Sequence, residues 1–332
     1  MVVVYHVTRV AVDRVDNLPP SLVWKPGEAG VDIFFAISGL VMGITYYRRR
    51  SQNWRDFLSR RLTRIVPMYW IATSLKLAVL LTIPVLAVHA RFDPWHAAAS
   101  YLFIPAKNLD GSIYPVLWVG WTLNFEMFFY VLFTAALALR APLLGFLSTA
   151  IGLLAFAGLW RSSGWPAPLR LVDPILLEFL CGLWMAAAMA RGLTLSPAVR
   201  VGLVLGGIIF ILLAPNDTDE SMTRVLFWGL PAFAIVAATA ATPWSPPSWL
   251  LQLGNASYAI YLFHGFVMTA IGMLMRRFEF SALMLVACGI AGVVLSALAG
   301  LAVYKFVETP LLKGLNAWVK RNSLWQIQRV DR

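Results

Sequence analysis

Gly30-Val-Asp-Ile-Phe-Phe-Ala-Ile-Ser-Gly-Leu-Val-Met-Gly-Ile-Thr-Tyr-Tyr47 runs directly into Arg48-Arg-Arg-Ser-Gln-Asn-Trp-Arg-Asp-Phe-Leu-Ser-Arg-Arg-Leu-Thr-Arg64. The first stretch is apolar over nearly the length a helix needs to cross a bilayer, about 20 residues. The second carries Arg48, Arg49, Arg50, Arg55, Arg60, Arg61 and Arg64 against one acid, Asp56. Dense Lys/Arg next to an apolar run marks the cytoplasmic side of a membrane. These two segments therefore predict a span and its direction.

The pattern extends over the whole chain. Hydrophobic residues make up 60% of the 332 positions and charged residues 13%. A soluble domain is about 45–50% apolar and about 25% charged, so a soluble globule and a disordered chain are both excluded. The apolar runs are long and continuous, unlike the alternating segments of a membrane β-barrel. The prediction is all-α, a polytopic helical bundle in the membrane. Its spans are 1–12, 30–47, 65–88, 116–139, 142–160, 171–190, 199–214, 224–242, 255–275 and 282–307, about ten in all. The first is short. It reads as the second half of a helix rather than a signal peptide, because neither a basic start nor a full apolar stretch precedes it.

Alternation through these spans puts Arg140, Arg191, Arg200, Lys313, Lys320, Arg321, Arg329 and Arg332 on the side of the 48–64 segment, with Asp56 and Asp331. The opposite side is nearly balanced in charge. The C-terminus, and any N-terminal extension, are expected inside. The net charge of +11 then reflects loop bias rather than nucleic-acid binding. The chain is read as one transmembrane domain, 1–310, with a basic cytoplasmic tail, 311–332. Cys181 and Cys288 lie in apolar runs and read as small buried hydrophobes. No metal site is expected, and P-loop, GxGxxG and HExxH patterns are absent.

Ionisable groups inside spans are costly and are functional candidates by default. His6 suits proton transfer near neutral pH, or a structural hydrogen bond to a neighbouring helix. Asp32, at a span start, reads best as favouring the positive end of a helix dipole. Ser38-Gly39 permits close approach of a ligand or of another helix, with equal weight. Arg61 and Arg64, three apart on one helical face, can grip phosphate; anchoring to lipid phosphate is the competing reading. Glu126, set among aromatics in Trp121-Thr-Leu-Asn-Phe-Glu126-Met-Phe-Phe-Tyr130, has the weakest purely structural explanation. Trp118 and Trp121 fit an interface belt. His264 lies well inside a span and either shares a cavity with His6 or bonds a neighbouring helix. Glu308 closes the last span. His89 and His96 are expected in a solvated outer loop.

Six segments, in order, resemble the membrane-bound acyltransferase-3 family of bacterial sugar O-acetyltransferases and exopolysaccharide production proteins. They are Val2-Val-Val-Tyr-His6, Gly30-Val-Asp-Ile-Phe-Phe-Ala-Ile-Ser-Gly39, Phe57-Leu-Ser-Arg-Arg-Leu-Thr-Arg64-Ile-Val-Pro67, Trp121-Thr-Leu-Asn-Phe-Glu126, Leu253-Gly-Asn-Ala-Ser-Tyr-Ala-Ile-Tyr-Leu-Phe-His264 and Phe306-Val-Glu-Thr-Pro310. The resemblance implies ten helices, an acyl-CoA co-substrate on the cytoplasmic side, and a carbohydrate or lipid-linked glycan acceptor. It implies a catalytic role for His6 and donor binding by Arg61, Arg64, Ser38 and Gly39. The family's basic residue eleven positions before the histidine has no counterpart, since five residues precede His6. The expected enzyme is an inner-membrane O-acyltransferase with acetyl-CoA as donor and without a bound cofactor. Glu126 orients His6 or the acceptor, and Trp121 and His264 contact the acceptor. A transporter or flippase of lipid-linked sugars, or a non-catalytic export partner, is the alternative.

Overall fold

Apolar segments of this kind fold as helices because lipid offers no partner to a backbone N–H or C=O, so each helix must satisfy its own. The computed structural model describes residues 1–15, 18–48, 53–82, 92–162, 164–215, 221–242, 245–275 and 281–317, and these contain helices and no strand. In order they form α1 (Val2–Arg14), α2 (Ala29–Arg48), α3 (Trp54–Thr82), α4 (Pro94–Tyr101), α5 (Trp121–Ala138), α6 (Leu143–Gly158) and α7 (Leu176–Ala190). There follow α8 (Pro197–Leu212), α9 (Ser221–Arg224), α10 (Leu230–Ala240), α11 (Ser248–Asn255), α12 (Ser257–Met275) and α13 (Ala282–Val303). Seven helical stretches among the described residues are long and apolar enough to cross a membrane; α6 and α8 are apolar but shorter. At 13 residues, α1 rises only about 20 Å, against a hydrocarbon layer of about 30 Å.

Three boundaries differ from the sequence reading. Most of the basic 48–64 segment is helical, because α3 begins at Trp54 and carries its arginines on its first turns. The outer loop after α3 contains α4, capped by the Asp93 side chain on the Trp95 N–H. The last helix does not stop before the expected tail: one helical stretch runs Leu283–Ala317, straight through Pro310. The reason lies in a π turn at Tyr304–Glu308. A helical proline clashes with the carbonyl four residues earlier, here Phe306, and the wide π turn opens the helix at that point. The same device recurs at Val225–Gly229, just before Pro231. Arg49, Arg50, His89, Arg91 and the tail from 318, with Lys320, Arg321, Arg329, Asp331 and Arg332, lie outside the described residues.

Among the described residues, α2 packs most extensively on α7. Gly39 and Gly43 form a Gly-x-x-x-Gly stripe facing Phe179, Leu183 and Ala186, and Gly182 returns the contact onto Ala36 and Leu40. A Cβ on Gly39 would strike the backbone of Phe179. Small residues at this spacing let backbones touch where hydrophobicity supplies no driving force between helices. Around this contact lies an aromatic core. Phe179 packs on Phe35 and Phe129 at 4.5 and 4.6 Å, and Phe57 stacks on Phe133 at 4.5 Å. The outside is apolar as well: Leu283, Val286, Ile290, Val294 and Leu298 form an exposed stripe along α13. A soluble protein would not expose such a face, so this is a multi-pass helical membrane protein.

Candidate active site

α1 lies against α12 and α13. Val7 faces Gly289 and Gly292 of α13, and Val10 and Arg14 face Gly272 of α12. This packing sets His6 against His264, with ring centroids 4.9 Å apart, and against Trp118 at 5.0 Å. His6 Nδ1 is 2.9 Å from the Val2 carbonyl and His264 Nδ1 is 2.7 Å from the Tyr261 carbonyl. A carbonyl only accepts, so in the neutral rings both hydrogens sit on Nδ1 and both Nε2 atoms carry lone pairs. Neither Nε2 has a partner among the described residues, and both are buried. Tyr261 anchors this arrangement: its hydroxyl lies 2.9 Å from the Val119 carbonyl and 2.9 Å from the Thr122 hydroxyl, joining α12 to the start of α5.

Two ring neighbours of His6, Tyr5 and Trp118, also line a cavity of about 290 Å3, together with Tyr114, Trp121, Asn124, Glu28, Arg170, Asp173 and Arg224. It lies where α2, α5 and α7 begin, at the end of the bundle opposite the arginines of α3. Its charged wall corrects one expectation. Asp32 is fully buried and does more than favour a helix start: it accepts from Arg224 Nη2 at 2.8 Å and Nε at 3.0 Å, with Glu28 at 3.5 Å from Nη1. The guanidinium also sits over the Trp121 and Trp228 rings. Arg224 was not singled out from the sequence. The available signal was one cation and one acid, each opening an otherwise apolar span. Asp173 is likewise buried and takes Arg161 and Arg170 in ion pairs, plus the Ile175 N–H at 2.9 Å.

Glu126 lies deeper in α5. It accepts from the Ser38 hydroxyl at 2.6 and 2.8 Å, one contact to each oxygen, and from the Tyr130 hydroxyl. The carboxylate thus bonds α2 to α5. It does not orient His6 by a direct hydrogen bond, since His6 Nδ1 is held by Val2. Gly39, expected beside a donor, is buried in the α2–α7 contact, where it packs on the Phe179 backbone. Arg61 is half-buried, its guanidinium 5.7 Å from the Phe57 ring, and Arg64 is exposed. Neither forms an ion pair among the described residues. Histidine 96 is also a correction: it is buried, not solvated, with Nε2 2.9 Å from the Tyr114 carbonyl, pinning α4 to the loop before α5. Glu308 is buried at the end of the second π turn.

The structure therefore gathers His6, His264, Trp118 and Trp121 at one end, and Ser38, Glu126 and Tyr130 deeper in the bundle, with Arg61 and Arg64 on the first turns of α3. No solved structure matches this chain. It is similar to the exopolysaccharide production protein ExoZ of Rhizobium meliloti (strain 1021), 34% identical over 299 residues, which cover 86% of this chain and 90% of that protein. Residues 1–301 match the acyltransferase-3 family, described as an acyltransferase domain. On that match and that identity, the chain belongs to the acyltransferase-3 family.

Proposed function

We propose that this protein is an O-acyltransferase of the bacterial inner membrane. It moves an acyl group, acetyl in the first instance, from acyl-CoA to a hydroxyl of an exopolysaccharide sugar or its lipid-linked precursor. The seven long helices, the shorter α6 and α8, and α1 then make ten spans, with the arginines of α3 and the C-terminus on the cytoplasmic side. The carrying observation is the His6 imidazole, tied at Nδ1 and without an Nε2 partner among the described residues, beside a cavity walled by tryptophan.

His6 Nε2 takes the proton of the acceptor hydroxyl as that oxygen attacks the thioester carbon. When the tetrahedral adduct collapses, the carbon–sulfur bond breaks and the proton passes to the CoA sulfur. The thioester already carries an activated acyl group, so no covalent enzyme intermediate is required. His264 Nε2 accepts from a second, neighbouring hydroxyl of the acceptor sugar, and Trp121 offers a face to the sugar ring. Arg61 and Arg64 grip the phosphates of the donor, and Ser38, held by Glu126, borders its path through the bundle.

The test is transfer in proteoliposomes given radiolabelled acetyl-CoA and candidate glycans. Label on glycan that disappears with His6→Ala supports the reading. Label that persists in that variant overturns it, as does sugar crossing the membrane without CoA release.

A further inference from the structure

Asn124 sits on α5, one turn below Trp121, and is only 4% exposed. Its side-chain carbonyl Oδ1 has no hydrogen-bond partner among the described residues, and the residue lines the cavity beside His6. Leaving such an acceptor buried and unpaired is costly, and native proteins do so mainly where a ligand or water completes it.

Each guanidinium among the charged groups around the cavity already meets a carboxylate. Arg170 and Arg161 both close on Asp173, and Arg224 closes on Asp32 and Glu28. Three guanidinium groups thus face three carboxylates. Glu178, buried beside Gly229 of the first π turn, adds no positive charge. An anionic ligand would have to compete with these carboxylates for a guanidinium. A neutral one need not. The remaining walls are aromatic, Trp118 and Trp121 above all, and aromatic faces suit the C–H faces of a sugar ring. A volume of about 290 Å3 is at the small end for a ligand site.

We propose that this cavity is the acceptor subsite, that it takes one uncharged pyranose unit rather than a uronic acid or phosphorylated sugar, and that Asn124 Oδ1 accepts a hydrogen bond from a ring hydroxyl. The proposal rests on the acyltransferase reading above and adds the class of acceptor and the residue that reads it. Removing one neutral hydrogen bond weakens binding roughly tenfold.

The experiment is equilibrium binding of a tritiated neutral gluco-oligosaccharide, and of its glucuronic acid counterpart, to the full-length protein in nanodiscs without acyl-CoA. The neutral sugar should bind, the uronic one at least about tenfold more weakly. Asn124→Leu should weaken the neutral sugar about tenfold while unfolding at the same or a higher temperature, because Leu replaces an unpaired polar group of similar size. Equal or tighter uronic binding, absence of neutral binding, or unchanged affinity in Asn124→Leu overturns the proposal. The comparison of the two sugars on the unaltered protein decides it even if the variant fails to fold. Selective binding without transfer from any acyl-CoA would sink the acyltransferase reading and keep the subsite. Transfer that proceeds equally well in Asn124→Leu, or equally onto uronic acceptors, would sink the subsite and keep that reading.

Discussion

His6 and His264 come from α1 and α12, yet their rings lie 4.9 Å apart, and neither Nε2 has a partner among the described residues. Backbone carbonyls one turn back on each helix hold the opposite nitrogens, so the two lone pairs are set by the helices themselves. A hydroxyl that reaches either ring there meets an acceptor nitrogen.

Substitution of the two histidines should therefore separate their parts. His6→Ala should lower transfer by about 10²–10⁴-fold, the usual worth of a positioned general base. The expected loss in His264→Ala is smaller and falls mainly on KM for the acceptor. Radiometric transfer assays over a range of acceptor concentration check this; an unaffected His6→Ala enzyme would remove that residue from the chemistry.

Asp32 and Arg224 are the most completely buried charged pair at the cavity, so removing either alone strands a charge. Asp32→Ala or Arg224→Ala should cost about 3–5 kcal/mol of stability. Replacing both with apolar residues of similar volume, Asp32→Leu with Arg224→Met, should recover much of it. Thermal unfolding in detergent, followed by fluorescence size exclusion, reads the difference.

Gly39 tests the helix contact rather than the chemistry. A methyl group there meets Phe179 backbone, which cannot move aside as a side-chain tip would. Gly39→Ala should cost about 1–3 kcal/mol, and Gly39→Val more. Loss of folded protein with unchanged KM for acyl-CoA in the fraction that remains is the expected outcome. A raised KM with normal stability would instead return Gly39 to the donor site.

For Arg61 and Arg64 the expected effect is on donor binding. Arg64→Ala should raise KM for acyl-CoA about tenfold or more, and Arg64→Lys should restore little, because Lys lacks the planar bidentate fork. The defect should shrink for a donor lacking the nucleotide phosphates, such as an acyl-pantetheine. If KM rises equally for both donors, the phosphate role fails.

Ser38 and Tyr130 both donate to Glu126, a buried carboxylate. Ser38→Ala or Tyr130→Phe should each cost about 1–3 kcal/mol, since a hydrogen bond to a charged group is lost from a buried site. Glu126→Gln preserves the shape, and its comparison with Ser38→Ala in thermal unfolding shows whether the charge or the geometry holds α2 to α5.

Composition and run length alone determined that this chain is helical, multi-pass and membrane-embedded. Those properties are local: a segment without polar side chains must close its own backbone hydrogen bonds and face lipid. His6, Glu126 and His264 were visible for the same reason, as polar groups where polarity is expensive. Which of them meet was decided only in three dimensions. Ser38 finds Glu126 across 88 positions and Arg224 finds Asp32 across 192. Helices that are apolar on every side carry little periodicity to fix their rotation or their neighbours. The glycine contact of α2 with α7, the docking of α1 on α12 and α13, and the π turns before Pro231 and Pro310 set those rotations instead, and they turned Asp32 from a helix-end acid into half of a buried ion pair.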